Sequence, residues 1–167
     1  MENKEIDISF NTVFNQNEIE QSMIAMSKGG MSKEMIESFA AEANANFAQI
    51  NSVTATATAD ATVKFAAGFQ LEENQLKDSL DLVTKYADAA TVDALAIQQN
   101  IGNTSGTAMA VWKGRNNMEI AKKTIQLVAA TATGAGVDEA SAATFTRNFL
   151  DEASKTMFTD PQAEMME

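Results

Sequence analysis

Apolar residues recur at steps of four and three through the middle of this chain: Leu76, Leu80, Val83, Ala87, Ala90, Ala94, Ile97 and Ile101. A period near 3.5 places them on one side of a helix, and such a stripe is stable only when something packs over it. The spacing predicts a helix that begins near Leu71 and ends at Gly102, with room for a pause between residues 86 and 91. Glu72 and Glu73 stand where the helix dipole favours acids. This coiled-coil-like seam is the first candidate interface.

The flanking segments carry similar patterns. Asn17 is placed to cap a short helix through Ile19, Met23, Ile24 and Met26, which Gly29 and Gly30 end. Ser32 opens a long segment toward Gly68, whose apolar positions Ile36, Phe39, Ala43, Phe47, Ile50, Thr54, Ala57 and Ala61 drift between seven- and eleven-residue spacing. Within it, residues 53–63 read VTATATADATV, where β-branched alternation fits a strand as well as a helix; helix is the preferred reading. Residues 103–106 read as a connector, and Gly114-Arg115-Asn116-Asn117 as a turn after Trp112. Asn117 then caps a helix through Met118, Ala121, Ile125, Val128 and Ala132, broken by Gly134 and Gly136. Asp138 caps a last helix carrying Ala142, Phe145, Phe149, Leu150, Ala153 and Met157, which stops before Asp160-Pro161.

The expected fold class is therefore all-α: an elongated antiparallel helical bundle or hairpin with one or two long helices. With eight glycines and one proline in 167 residues, long stretches are free of breakers. The N-terminus reads differently. Ile6, Ile8 and Phe10 alternate with Asp7 and Ser9 at the period of a strand, yet no second strand follows to pair with it. Residues 1–15 are thus expected to form an extended arm, docked on a neighbouring subunit or packed locally. Residues 16–159 form a single helical domain and 160–167 a flexible tail in this reading.

Most routes to chemistry are closed. The chain has no histidine and no cysteine, which removes the usual general base near neutral pH, the di-iron Glu-x-x-His pattern and any disulfide. No calcium-loop or phosphate-loop spacing is present. No catalytic residue, metal or cofactor is expected. A net charge of −11 argues against a nucleic-acid partner, because phosphate binding depends on lysine and arginine. The nearest basic patch is Lys113, Arg115, Lys122 and Lys123, whose ordinary role is a solvated helix face. Residues 43–59 carry no charged side chain but are too rich in Asn, Gln, Ser and Thr to span a membrane, so membrane contact is not favoured. The N-terminus lacks a basic block followed by an apolar one, so synthesis in the cytoplasm without a cleavable signal is expected, with export by another route or packaging in a particle left open.

Methionines at 23, 26, 31 and 35 suit core filling or adaptable contact, and the single tryptophan, Trp112, suits core or an interface anchor. Runs of Ala, Thr, Ser and Gly let helices approach closely. In composition the chain is similar to helical subunits of secreted filaments, R-body ribbons and phage virion interiors. That likeness implies a structural subunit that pairs its helices in a homo-oligomer, filament or particle, using the seam, Ile6, Ile8 and Phe10 of the arm, and Trp112. An acidic helical binding or chaperone-like regulator is the alternative, and a membrane-active helical protein the next.

Overall fold

The computed structural model describes residues 2–135 and 137–159. Every regular element among them is helical: α1 (Glu2–Asn11), α2 (Gln16–Lys28), α3 (Lys33–Met35), a π-helical turn (Ile36–Ala40), α4 (Ala41–Ile50), α5 (Ala55–Phe69), α6 (Asn74–Ala90), α7 (Ala94–Val111), α8 (Asn117–Ala135) and α9 (Glu139–Thr159). The tail, 160–167, and the expected break at Gly136 lie outside the described residues.

One turn recurs between the helices. Gly30, Ser52, Gln70 and Thr91 have left-handed backbones, with φ of 102°, 58°, 54° and 58°. The next residue, always apolar, donates its N–H to a carbonyl five residues back: Met31 to Met26, Val53 to Ala48, Leu71 to Ala66 and Val92 to Ala87, at 2.9–3.2 Å. This is the Schellman closure, which satisfies carbonyls left open at a helix end. In three of these turns the following residue caps the next helix. Ser32 accepts from Met35 N–H, Thr54 from Ala57 N–H and Asp93 from Leu95 N–H, at 3.1–3.2 Å. Two expected long helices are therefore divided: the segment from Ser32 breaks at Ser52, and the seam helix breaks at Thr91.

The N-terminal segment is a helix, which corrects the expected extended arm. Packing overrides its two-residue alternation: Ile8 is buried with Glu5 one turn earlier, while Ile6 and Phe10 face outward. Ser9, Asn11 and Thr12 bend their side chains back onto the carbonyls of Ile6, Asp7 and Ile8 at 2.8–2.9 Å. Lys4 pairs with Glu42 at 3.4 Å, tying α1 to α4. The cap of α2 is Asn15, in a reciprocal box with Glu18, rather than Asn17. For α8 the cap is Asn116, which accepts from Met118 N–H at 2.8 Å.

Residues 103–106 belong to the interior of α7 instead of forming a connector. Within it, Thr104 and Ser105 stand at close helix contacts. Helix α7 packs against α5, α6, α8 and α9, and α5 also meets α2 and α4. Gly68 of α5 lies against Ser105, Gly102 of α7 lies near Lys64, and Thr104 donates its hydroxyl to the Ala143 carbonyl of α9 at 2.9 Å. The Thr/Ala stretch is helical for a similar reason: Thr58 and Thr62, one turn apart, both reach inward to Asn44.

Candidate functional site

The seam is closed from within the chain. Leu76, Leu80, Val83 and Ala87 on α6, and Ala94, Ile97 and Ile101 on α7, are buried, and Ala90 packs half-buried beside them. A stripe already covered by its own chain offers no open face in this conformation, so an intermolecular contact has to use other residues. Ile8 is likewise part of the core. Trp112 is half-buried against the core, with the Lys123 ammonium 5.9 Å from its ring centre. Tyr86 is also half-buried, and its hydroxyl accepts from Gln126 at 2.8 Å. Of the expected contact residues, Ile6 and Phe10 are the large side chains left in the open, Phe10 much the more so.

Among the described residues the most exposed large apolar side chains lie on two parts of the surface. Phe10 is 84% exposed, Val13 78% and Ile50 58%. The Val13 N–H donates to Gln49 Oε1 at 2.6 Å, which ties the segment after α1 to the end of α4, the turn that carries Ile50. The second surface is on α9, where Phe145 and Phe149 stand one turn apart at 63% and 60% exposure. The other face of α9 carries Ala142, Ala143, Thr146 and Leu150 into the core.

The sequence pattern counted Phe145 and Phe149 with Ala142 and Leu150 as one apolar set and so missed that α9 has two stripes. The signal was the partner helix. Because Thr104 of α7 reaches the Ala143 carbonyl with its short hydroxyl side chain, the stripe that docks there has to be the small one. A phenylalanine there would hold the helices apart and break the bond from Thr104 to the Ala143 carbonyl.

A buried polar chain joins α4, α5 and α7. The Asn44 amide donates to the Ala55 carbonyl at 2.9 Å, while its oxygen accepts from Thr58 at 2.7 Å and Thr62 at 2.8 Å. Gln98 donates to the Thr62 hydroxyl at 2.8 Å. Gln98 Oε1 and Thr146 Oγ1 are buried without a hydrogen-bond partner among the described residues. Such a chain fixes the register of three helices.

Two cavities of about 390 Å³ adjoin α2. One lies between the turn at Gly30 and the end of α5, walled by Met31, Met35, Val63 and Leu71. The other lies between α1, α2 and the π-helical turn, and the buried Glu5 lines it. Among the described residues no cluster of acidic side chains could hold a metal ion, and no helix is long and apolar enough to cross a membrane. No family model, curated protein or solved structure matches this chain.

Proposed function

We propose that this protein is a non-enzymatic structural subunit that assembles with copies of itself by laying exposed apolar helix faces together. The observation that carries the reading is the Phe145 and Phe149 pair, largely exposed on a helix whose opposite face is already committed to the core. Large apolar side chains clustered on a surface mark contact sites. The corner formed by Phe10, Val13 and Ile50 supplies a second face of unlike shape. Like-on-like contact closes a dimer, whereas joining the two unlike faces propagates into a ring or an open chain. An elongated antiparallel bundle, with the faces on different elements, suits the second arrangement. A net charge of −11 opposes association at low ionic strength, so salt promotes it.

Sedimentation velocity over a concentration series, in low and in high salt, tests the reading. The protein is expected to sediment faster as concentration and salt rise, and the Phe145→Ser/Phe149→Ser variant to remain monomeric. A monomer under every condition would overturn the proposal. Electron microscopy of the associated fraction then distinguishes closed from open assemblies.

A further inference from the structure

Valine followed by a capping side chain enters three helices of this chain: Val53-Thr54 before α5, Val92-Asp93 before α7 and Val137-Asp138 before α9. The helices that follow these turns run side by side in one direction. Thr62 meets Gln98 and Gly68 meets Ser105 between α5 and α7, while Asp93 meets Glu139 and Thr104 meets Ala143 between α7 and α9. The returning helices form a second row, with α4 on α6 and α6 on α8. This is a stack of repeated helix pairs, in which each pair covers the face of the one before it. Helices α1 and α2 begin the stack, since α1 packs on α2 and α2 on α5, and α8 and α9 end it.

A stack of this kind stops where its end pair turns a polar face outward. Both ends of this one carry large apolar side chains instead. Phe145 and Phe149 are exposed on α9, and Ile6 and Phe10 on α1. The ends also differ in charge. Residues 2–28 hold five acidic side chains against two basic ones, whereas residues 113–159 hold six basic against five acidic in a chain of net −11. Two N-terminal ends therefore repel each other, and an N-terminal end is drawn to a C-terminal one. We infer that the stack continues from one copy to the next, with α1 of a second copy laid on the Phe145 and Phe149 face of α9, so that the assembly is head-to-tail and polar. The inference rests on the assembly reading and goes past it by fixing which face meets which.

Complementation between variants tests it, by sedimentation velocity in the salt at which the unmodified protein associates. Phe10→Ser keeps an intact α9 face, and Phe145→Ser/Phe149→Ser an intact α1 face. Each alone is expected to remain monomeric, and their equimolar mixture to form a dimer that grows no further. Two results overturn the inference while leaving self-assembly standing. One is a Phe10→Ser variant that still dimerises, because α9 then pairs with itself; the other is a mixture that stays monomeric although the unmodified protein associates. An unmodified protein that is monomeric under every condition removes both readings. Because the chain has no cysteine, cross-linking gives a second measurement that keeps all the phenylalanines. When Asp7→Cys and Asn148→Cys are mixed under mild oxidation, the mixed disulfide is expected to form faster than either self-linked dimer. A dominant self-linked Asn148→Cys dimer overturns the inference.

Discussion

A methyl group placed on Gly68 would lie 2.8 Å from the Ser105 Cβ and closer still to its hydroxyl. The α5 and α7 backbones approach so closely there that glycine is required for space rather than for conformational freedom. An alanine elsewhere in a helix normally stabilises it by roughly 0.5–1 kcal/mol over glycine. Gly68→Ala is expected to do the opposite, costing about 1–3 kcal/mol through overpacking. Urea denaturation of Gly68→Ala, Ser105→Gly and the double variant measures it. If the two losses simply add, the contact is not the cause.

The polar chain separates two kinds of buried amide. Asn44→Ala deprives the Thr58 and Thr62 hydroxyls of their shared acceptor; Thr58 still reaches the Ala55 carbonyl at 3.2 Å, so the cost should be on the order of 1–3 kcal/mol, chiefly for the Thr62 hydroxyl left unsatisfied. Gln98→Met removes an oxygen that already lacks a partner, while Thr62 keeps its bond to Asn44. Its expected effect is small. Equal losses on thermal or chemical unfolding would contradict this division.

Leu80 and Phe149 should respond oppositely in two assays. Leu80→Ala opens a hole in the covered seam and is expected to cost about 2–5 kcal/mol of stability. Phe149→Ser changes an exposed side chain, with an expected stability change within about 0.5 kcal/mol and a clear fall in self-association. Measuring unfolding and sedimentation on both variants checks the pair.

Thr91 holds a left-handed backbone, φ 58°, despite its branched Cβ. For a residue with a side chain that conformation costs roughly 1–2 kcal/mol. Thr91→Gly should therefore raise the denaturation midpoint. A lower midpoint would mean that the threonine side chain contributes more than its backbone costs.

Asp138 caps α9, and its carboxyl is held below the usual aspartate range chiefly by the Ser141 backbone N–H, then by the Ser141 hydroxyl and the Ala140 N–H, against a small opposing effect of burial. Because the folded value is depressed, the cap's contribution is complete above the unfolded value and is lost as pH falls through the folded one. The protection of Ser141 N–H against hydrogen exchange, relative to its intrinsic rate at each pH, should fall on acidification below the ordinary carboxylate range. In Asp138→Asn that acid-dependent step should disappear.

The helical class and much of the core were legible because the seam pattern depends only on spacing: seven of its eight residues are buried as a stripe must be. The breaks at Ser52 and Thr91 were not legible from glycine, since neither turn contains one. Their visible trace was an apolar residue followed by a capping side chain, Val53-Thr54 and Val92-Asp93. The N-terminal helix was hidden for another reason. Its inward side is set by contacts with α2 and α4, which local alternation cannot encode. Surface candidates fared similarly: the alternation grouped Phe10 with Ile8, which is core, and distinguishing Phe145 from Ala142 required knowing what faces α9.

The π-helical turn governs where this chain tolerates a change of length. There the Ala41 N–H reaches back five residues to the Ile36 carbonyl, so the backbone accommodates one more residue than an ordinary turn. Excising a residue from 36–40 would let the turn tighten while both flanks kept their azimuth. The same excision a few positions later, between Asn44 and Phe47, would swing the remainder of α4 by about 100°. One stretch of this helix thus acts as a slack loop in an otherwise geared shaft, and insertions or deletions in homologous chains should collect there.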